Sequence, residues 1–252
     1  MASMFSVAWN VISCGETASE RNRQHFHNFT GEFNPMDMQS FLASGICIAL
    51  LSYLIGSIPF GYLIGRFNGL DIRRHGSRNI GATNVRRVLG RDWGVVCFIL
   101  DFLKGLLPVI LFGQFLGAQT AVGVGWGEMF AVAGTIGGHI FPFTLNFKGG
   151  KGVATSLGAI LAVAFWPVLI GAVVWYITFL KTRIVSLASI MAAISLPVAA
   201  TFMLALGMGG IHGTNIILMA IIAALIIVRH KDNIIRLRNG QENKFSKQSA
   251  KS

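Results

Sequence analysis

Residues 153–180 read VATSLGAILAVAFWPVLIGAVVWYITFL, 28 residues without a charge. About 20 apolar residues suffice to cross ~30 Å of hydrocarbon, so length alone suggests one long crossing. The flanks forbid it. Lys148 and Lys151 precede the stretch, and Lys181 and Arg183 follow it. Basic connections collect on the cytoplasmic side of membrane proteins, so both ends belong on one face. Pro167, inside AFWPVLI, lacks a backbone donor and biases Trp166 away from helix. It marks the predicted turning point. Each half then has about 13 residues, roughly 20 Å of helix. The pair is either two short crossings in a thinned bilayer or a re-entrant hairpin.

Further apolar segments lie near 40–65, 94–117, 121–141, 184–207 and 213–229. The connection 66–92 holds seven arginines, and the tail from 229 holds Arg229, Lys231, Arg236 and Arg238, whereas 117–127 and 207–213 hold no lysine or arginine. With 153–180 split, every basic connection falls on one side. The sequence therefore predicts an all-α integral membrane protein with seven transmembrane helices, some short, its N-terminus outside and its C-terminus cytoplasmic. Composition agrees: 53% of residues are hydrophobic and 12% charged, against about 25% charged in soluble domains. The apolar runs do not alternate with polar residues, which excludes a β-barrel.

The membrane domain is expected to span 36–245. Residues 1–35 are expected to be a disordered or wrongly included extension, with Met36 or Met38 as the start. Residues 246–252 are expected to be a disordered basic tail. MFSVAWNVI is too short and lacks the basic flank of a signal peptide. The net charge of +11 fits basic loops better than nucleic acid, because no aromatic residues are interleaved for base stacking. Cys14, Cys47 and Cys97 show no CxxC pairing, and two of them read as buried thiols.

The polar connections share a chemistry. HGSRNIGATNVRR (75–87), NFKGGKGVATSLG (146–158), KTRIVSLAS (181–189) and RHKDNIIRL (229–237) each offer cations with glycine backbone or hydroxyls. Glycine lets backbone N–H groups approach a ligand, and successive N–H groups at a helix N-terminus form an anion nest. KGGKG before a helical VATSLG is such an arrangement, with charge from Lys148 and Lys151 and donors from Gly149, Gly150 and Gly152. It lacks the GxxxxGK[ST] pattern. Asp101 and Lys104, spaced i, i+3 in an apolar segment, need each other or a water-filled cavity, since an intramembrane charge costs ~2.5 kcal/mol or more. His139 reads as a satisfied core histidine. His230 and Asn233 share a helix face beside Arg229.

Together GSIPFGYLIGR, HGSRNIGATNVRRVLG, LDFLKG, GHIFPFTLNFKGGKGVATSLG, VSLAS and RHKDNIIRL resemble the bacterial acyl-phosphate:glycerol-3-phosphate acyltransferase family (PlsY type), over about residues 40–245. The resemblance implies a seven-helix enzyme of the bacterial cytoplasmic (inner) membrane. It implies transfer of a fatty acyl group from acyl phosphate to the first hydroxyl of glycerol 3-phosphate, giving lysophosphatidic acid and phosphate. It places catalytic roles on Ser77, Asn79, Arg87, Lys151, His230 and Asn233. Substrate binding falls on Gly76, Thr83, Asn84, Lys104, Lys148, Gly149, Gly150 and Ser186. Arg86 occupies a variable place, and Arg78 stands where relatives often carry a small residue. No cofactor or metal is expected. The partners are the two substrates and membrane lipid, and the protein is expected to be a monomer.

The chemistry accounts for the cations. Two phosphate near-dianions about 6 Å apart repel by on the order of 10 kcal/mol at an effective dielectric near 20. Acyl phosphate is an activated anhydride, so no acyl-enzyme is required, and neither a GxSxG elbow nor an HxxxxD dyad is present. Direct attack of the glycerol hydroxyl on the acyl carbonyl is expected, driven by positioning and charge stabilisation. The proton passes to the departing phosphate or to His230. Two rival classes remain, an organic-anion transporter and a structural membrane protein. The first is disfavoured because the polar residues gather at one face and no inverted repeat is visible.

Overall fold

The computed structural model describes residues 35–208 and 211–245. The expectations for residues 1–34 and 246–252 lie outside the described residues. The chain divides into two units, Met1–Gln39 and Ser40–Ser252. Of the first, only the opening turn of α1 is described; the second carries the helical bundle.

Every regular element among the described residues is helical. α1 spans Pro35–Gly56, α2 Phe60–Phe67 and α3 Ala82–Leu89. α4, Arg91–Pro108, continues without a stop as π-helical turns over Val109–Leu116. α5 is Gly123–Ile140, α6 Val153–Val163 and α7 Phe165–Thr182. α8 is Val185–Ala205, α9 Gly213–Arg229 and α10 Lys231–Arg238. α10 bends away from α9 by 61°.

The burial pattern is that of a protein solvated by lipid. Along α1, Leu42, Ile46, Leu50 and Leu54 recur every four residues and are about half exposed, while Ile48 and Ser52 on the opposite face are buried. An apolar stripe facing outward is stable only in hydrocarbon. Among the described residues, four helical runs are long and apolar enough to cross a membrane: 37–67, 91–116, 165–182 and 185–205. The bent α9–α10 pair makes a fifth if its two helices form one span. The structure thus supports an all-helical integral membrane protein.

Two features of the sequence reading are corrected. The break within 153–180 falls at Ala164 (φ −149°, ψ 88°), not at Pro167. Pro167 is the third residue of α7, in the first turn, where a missing N–H leaves no helical bond unmade. The two arms are therefore unequal, 11 and 18 residues. The apolar segment 40–65 is also interrupted, between Gly56 and Phe60.

α7 packs on α8, α8 on α9, and α4 on α6. The α4–α6 contact rests on a reciprocal close approach. A side chain at Gly105 would overlap the Thr155 carbonyl, and one at Gly158 the Phe102 carbonyl. Small residues that bring backbones together are the usual route to helix association in lipid. Pro108 cannot donate to the carbonyl of Lys104 four residues back. That freed oxygen accepts a hydrogen bond from Thr135 Oγ1 of α5 at 2.6 Å. Such re-satisfaction by a neighbouring helix is what lipid demands of a freed backbone group.

Candidate active site

α6 starts where the glycine-rich loop turns inward. Gly152 adopts φ 80°, a left-handed conformation that an ordinary side chain resists. Before it, the chain doubles back on the end of α5: Gly149 N–H donates to Ile140 O and Gly150 N–H to His139 O, both at 3.1 Å. This corrects the predicted nest. Those two N–H groups are committed to the orphan carbonyls that end α5, and a side chain at Gly150 would overlap the His139 imidazole. The loop carbonyls are engaged as well. Arg229 donates from Nη2 to Gly149 O at 3.0 Å and from Nε to Gly150 O at 3.2 Å.

This fold of the loop aims Lys151 at the α9–α10 bend. Lys151 Nζ donates to Asn233 Oδ1. Asn233 Nδ2 in turn donates to Glu242 Oε1 at 2.7 Å. Ser186 Oγ donates to the same oxygen at 3.0 Å, and Arg236 Nε to Oε2 at 2.8 Å. The sequence reading missed both Arg236 and Glu242. The signal was present: Glu242 is an acid in a basic tail. Burial pulls the Lys151 ammonium down to about 8, against a smaller upward pull from Glu242. Burial also pushes the Glu242 carboxyl upward, but the hydrogen bonds from Asn233, Arg236 and Ser186 outweigh it and hold the group below its usual value.

His230 lies at the bend and is buried. Its Nδ1 is 2.7 Å from Ile226 O. A carbonyl only accepts, so Nδ1 carries the proton and Nε2 holds the basic lone pair.

The first loop is a second cluster, organised by Asn84. This side chain is buried, and its Oδ1 accepts from Ser77 N–H at 2.7 Å. Its Nδ2 donates to Asn79 O at 2.8 Å and His75 O at 3.1 Å, with a longer contact to Ile72 O. Asn84 therefore shapes the loop. Asn79 Oδ1 closes a turn onto Gly81 N–H at 2.8 Å. Gly76, Ser77, Thr83 and Arg87 are exposed, and Lys148 is exposed on the other loop. The tail connects the two clusters. Arg86 lies 4.3 Å over the Phe245 ring, and Phe245 N–H donates to Arg183 O at 2.7 Å.

The structure thus joins Lys151, Asn233 and Ser186 through Glu242 in one hydrogen-bonded group, while Gly149 and Gly150 are held separately by α5 and Arg229 and His230 lies at the α9–α10 bend. Among the described residues no hydrogen bond or ion pair links Ser77, Asn79 or Arg87 to Lys151. Lys104, expected to bind substrate, is held inside the bundle in this structure. Its Nζ pairs with Asp101 Oδ1 at 2.8 Å inside the bundle and donates to Ile58 O at 2.7 Å, bracing the α1–α2 break. His139 is the expected core histidine, 3.0 Å from Thr155 Oγ1. Among the described residues no group of three or more metal-ligating side chains occurs. An apolar groove of about 350 Å³ opens at the α1–α2 break, lined by Leu54, Ile58, Tyr62, Leu63, Phe143 and Leu145 among others.

A family model described as glycerol-3-phosphate acyltransferase matches residues 46–240. The glycerol-3-phosphate acyltransferase of Aquifex aeolicus is 44% identical over 199 residues, 79% of this chain and 97% of that protein. That of Geotalea daltonii is 42% identical over 206 residues, 82% of this chain and 100% of that protein. The fold is similar to the crystal structure of PlsY, an integral membrane glycerol 3-phosphate acyltransferase, in its glycerol 3-phosphate form. The TM-score is 0.71 at 41% identity, covering 81% of this chain and 96% of that one. The lysophosphatidic acid form gives 0.69 at 40% identity.

Proposed function

The chain belongs to the glycerol-3-phosphate acyltransferase family, and on that premise we propose that it transfers a fatty acyl group from acyl phosphate to the sn-1 hydroxyl of glycerol 3-phosphate. The products are lysophosphatidic acid and inorganic phosphate, in the first step of phospholipid synthesis. One observation carries the reading. Lys151 is a half-buried cation whose hydrogen-bond partner is a neutral amide, and among the described residues it forms no ion pair. Glu242, the nearby acid, is engaged by Asn233, Ser186 and Arg236, so a desolvated cation held by a neutral amide keeps capacity for an anion.

Lys151 supplies charge to a substrate phosphate, and Asn233 aims it. Arg87 grips the second phosphate with its planar fork. Ser77 and Asn79 orient the reacting groups from the loop that Asn84 holds. The glycerol hydroxyl oxygen attacks the acyl carbonyl carbon, and the bond to the phosphate oxygen breaks. The hydroxyl proton leaves with that phosphate or on His230 Nε2, which holds the basic lone pair. The acyl chain lies in the apolar groove at the α1–α2 break. The topology that fits this chemistry has seven crossings, the N-terminus outside and the site on the cytoplasmic side of a bacterial inner membrane. The domain spans 36–245 and acts as a monomer.

Purified protein in detergent, given palmitoyl phosphate and glycerol 3-phosphate, is expected to release phosphate and form lysophosphatidic acid. Absence of both products overturns the proposal, and product formation with palmitoyl-CoA alone overturns the donor assignment.

A further inference from the structure

The surface around the α2–α4 contact has properties that the acyl-transfer site does not use. Along the exposed side of α4 the chemistry changes in order. Arg91 and Asp92 open the helix exposed, Trp93 is half-buried, and Val95, Val96, Phe98 and Ile99 are each at least two-fifths exposed. That is the profile of a helix leaving the headgroup layer for hydrocarbon, with its interfacial aromatic at the boundary. α2 supplies a matching edge. Leu63 faces outward, Arg66 lies exposed in the last turn, and Phe67, the last residue, is 81% exposed. The Phe67 ring lies 5.7 Å from the Trp93 ring, which fixes the two helix ends at one depth. Arg66 and Arg91 thus flank an aromatic pair at the lipid boundary.

Neither arginine is satisfied by a described residue. Among the described residues neither forms an ion pair, and Asp71, the acid of the same connection, is held by Arg73 at 2.7 Å. Arg91 is also the first residue of α4, where the helix dipole disfavours a cation. Asp92 beside it offsets part of that and leaves Arg66 untouched.

We propose that Arg66 and Arg91, around the Phe67–Trp93 pair, form a binding site for the headgroup of an anionic phospholipid. Charge complementarity names the occupant: two unpaired guanidinium groups match a phosphodiester, and the exposed rings suit the interfacial zone beneath it. The site would tie the stability of the bundle to the acidic lipid of the surrounding membrane.

The experiment titrates the full-length protein in detergent micelles with dioleoyl-phosphatidylglycerol or dioleoyl-phosphatidylcholine and follows the thermal unfolding midpoint. Phosphatidylglycerol is expected to raise the midpoint, and added salt to reduce the rise. Each arginine at an anionic surface is worth about fivefold in affinity, so Arg66→Gln/Arg91→Gln is expected to weaken the apparent affinity about 25-fold. Turnover in phosphatidylcholine is expected to stay at the wild-type level. Arg66→Lys/Arg91→Lys, which keeps both charges, is expected to retain the rise and covers the case of a poorly folding glutamine variant. An equal rise with phosphatidylcholine, an unchanged rise in the glutamine variant, or the same rise with inorganic phosphate overturns the site.

Discussion

Lys151 shows how a single residue ties structure to rate. Burial lowers its ammonium to about 8, so the cation is present below that pH and is lost as pH rises through it. If the cation holds a substrate phosphate, activity has an alkaline limb near pH 8. Lys151→Arg, whose guanidinium keeps its charge, should remove that limb, and Lys151→Ala should leave a folded, membrane-inserted protein with little turnover. A pH–rate profile of the three proteins checks both outcomes. Ser77 is expected to orient substrate without being acylated, so Ser77→Ala should lose rate while intact-mass analysis of the wild type finds no acyl adduct. Asn84→Asp keeps the acceptor for Ser77 N–H but sets a carboxylate against carbonyls of the same loop. Leaving such groups unpaired costs about 1–3 kcal/mol, measurable as a lower unfolding midpoint together with lost turnover. At this scale the sequence was informative where partners are close along the chain. The i, i+3 spacing revealed the Asp101–Lys104 pair. It could not reveal that Gly149 and Gly150 point their N–H groups at α5, because that depends on where the loop returns.

The elements illustrate a different limit. Basic flanks showed that 153–180 must break, since charge placement is a composition-level signal. They could not place the break at Ala164, because Pro167 disrupts a helix only beyond its first turn. The same residue type acts in the opposite sense in α4. There Pro108 frees the Lys104 carbonyl, and Thr135 Oγ1 of α5 takes it. Thr135→Val should strand that buried oxygen and destabilise the protein by about 1–3 kcal/mol. Pro108→Ala restores an N–H four residues after Lys104, so in that background the same threonine change should be nearly silent. The four unfolding midpoints of this double-mutant cycle decide it. Equal losses in both backgrounds would show that Thr135 acts through packing and not through the orphan carbonyl.

Across the whole Ser40–Ser252 unit, the tail after α10 draws distant segments together. Glu242 accepts from Ser186 of α8 and from Asn233 and Arg236 of α10. Three residues on, Phe245 meets Arg183 after α7 and Arg86 of α3. Arg236 and Asn233 lie within nine residues of Glu242, but the meetings with Ser186, Arg183 and Arg86 were not legible in the sequence, because those residues are far from the tail along the chain and follow no period. The arrangement has a consequence at the far end of the network. Glu242 is the leading influence that raises the Lys151 ammonium against burial. Removing its charge while keeping its shape, as in Glu242→Gln, should lower that ammonium further. The alkaline limb of activity should then move below pH 8, toward more acid conditions. Glu242→Ala should move the limb in the same sense and in addition leave Ser186, Asn233 and Arg236 without their shared acceptor. It should therefore also raise KM for glycerol 3-phosphate and loosen the turn at Arg183, read as faster amide exchange there. A limb unmoved in Glu242→Gln would mean that the tail holds the helices together without reaching the charge of Lys151.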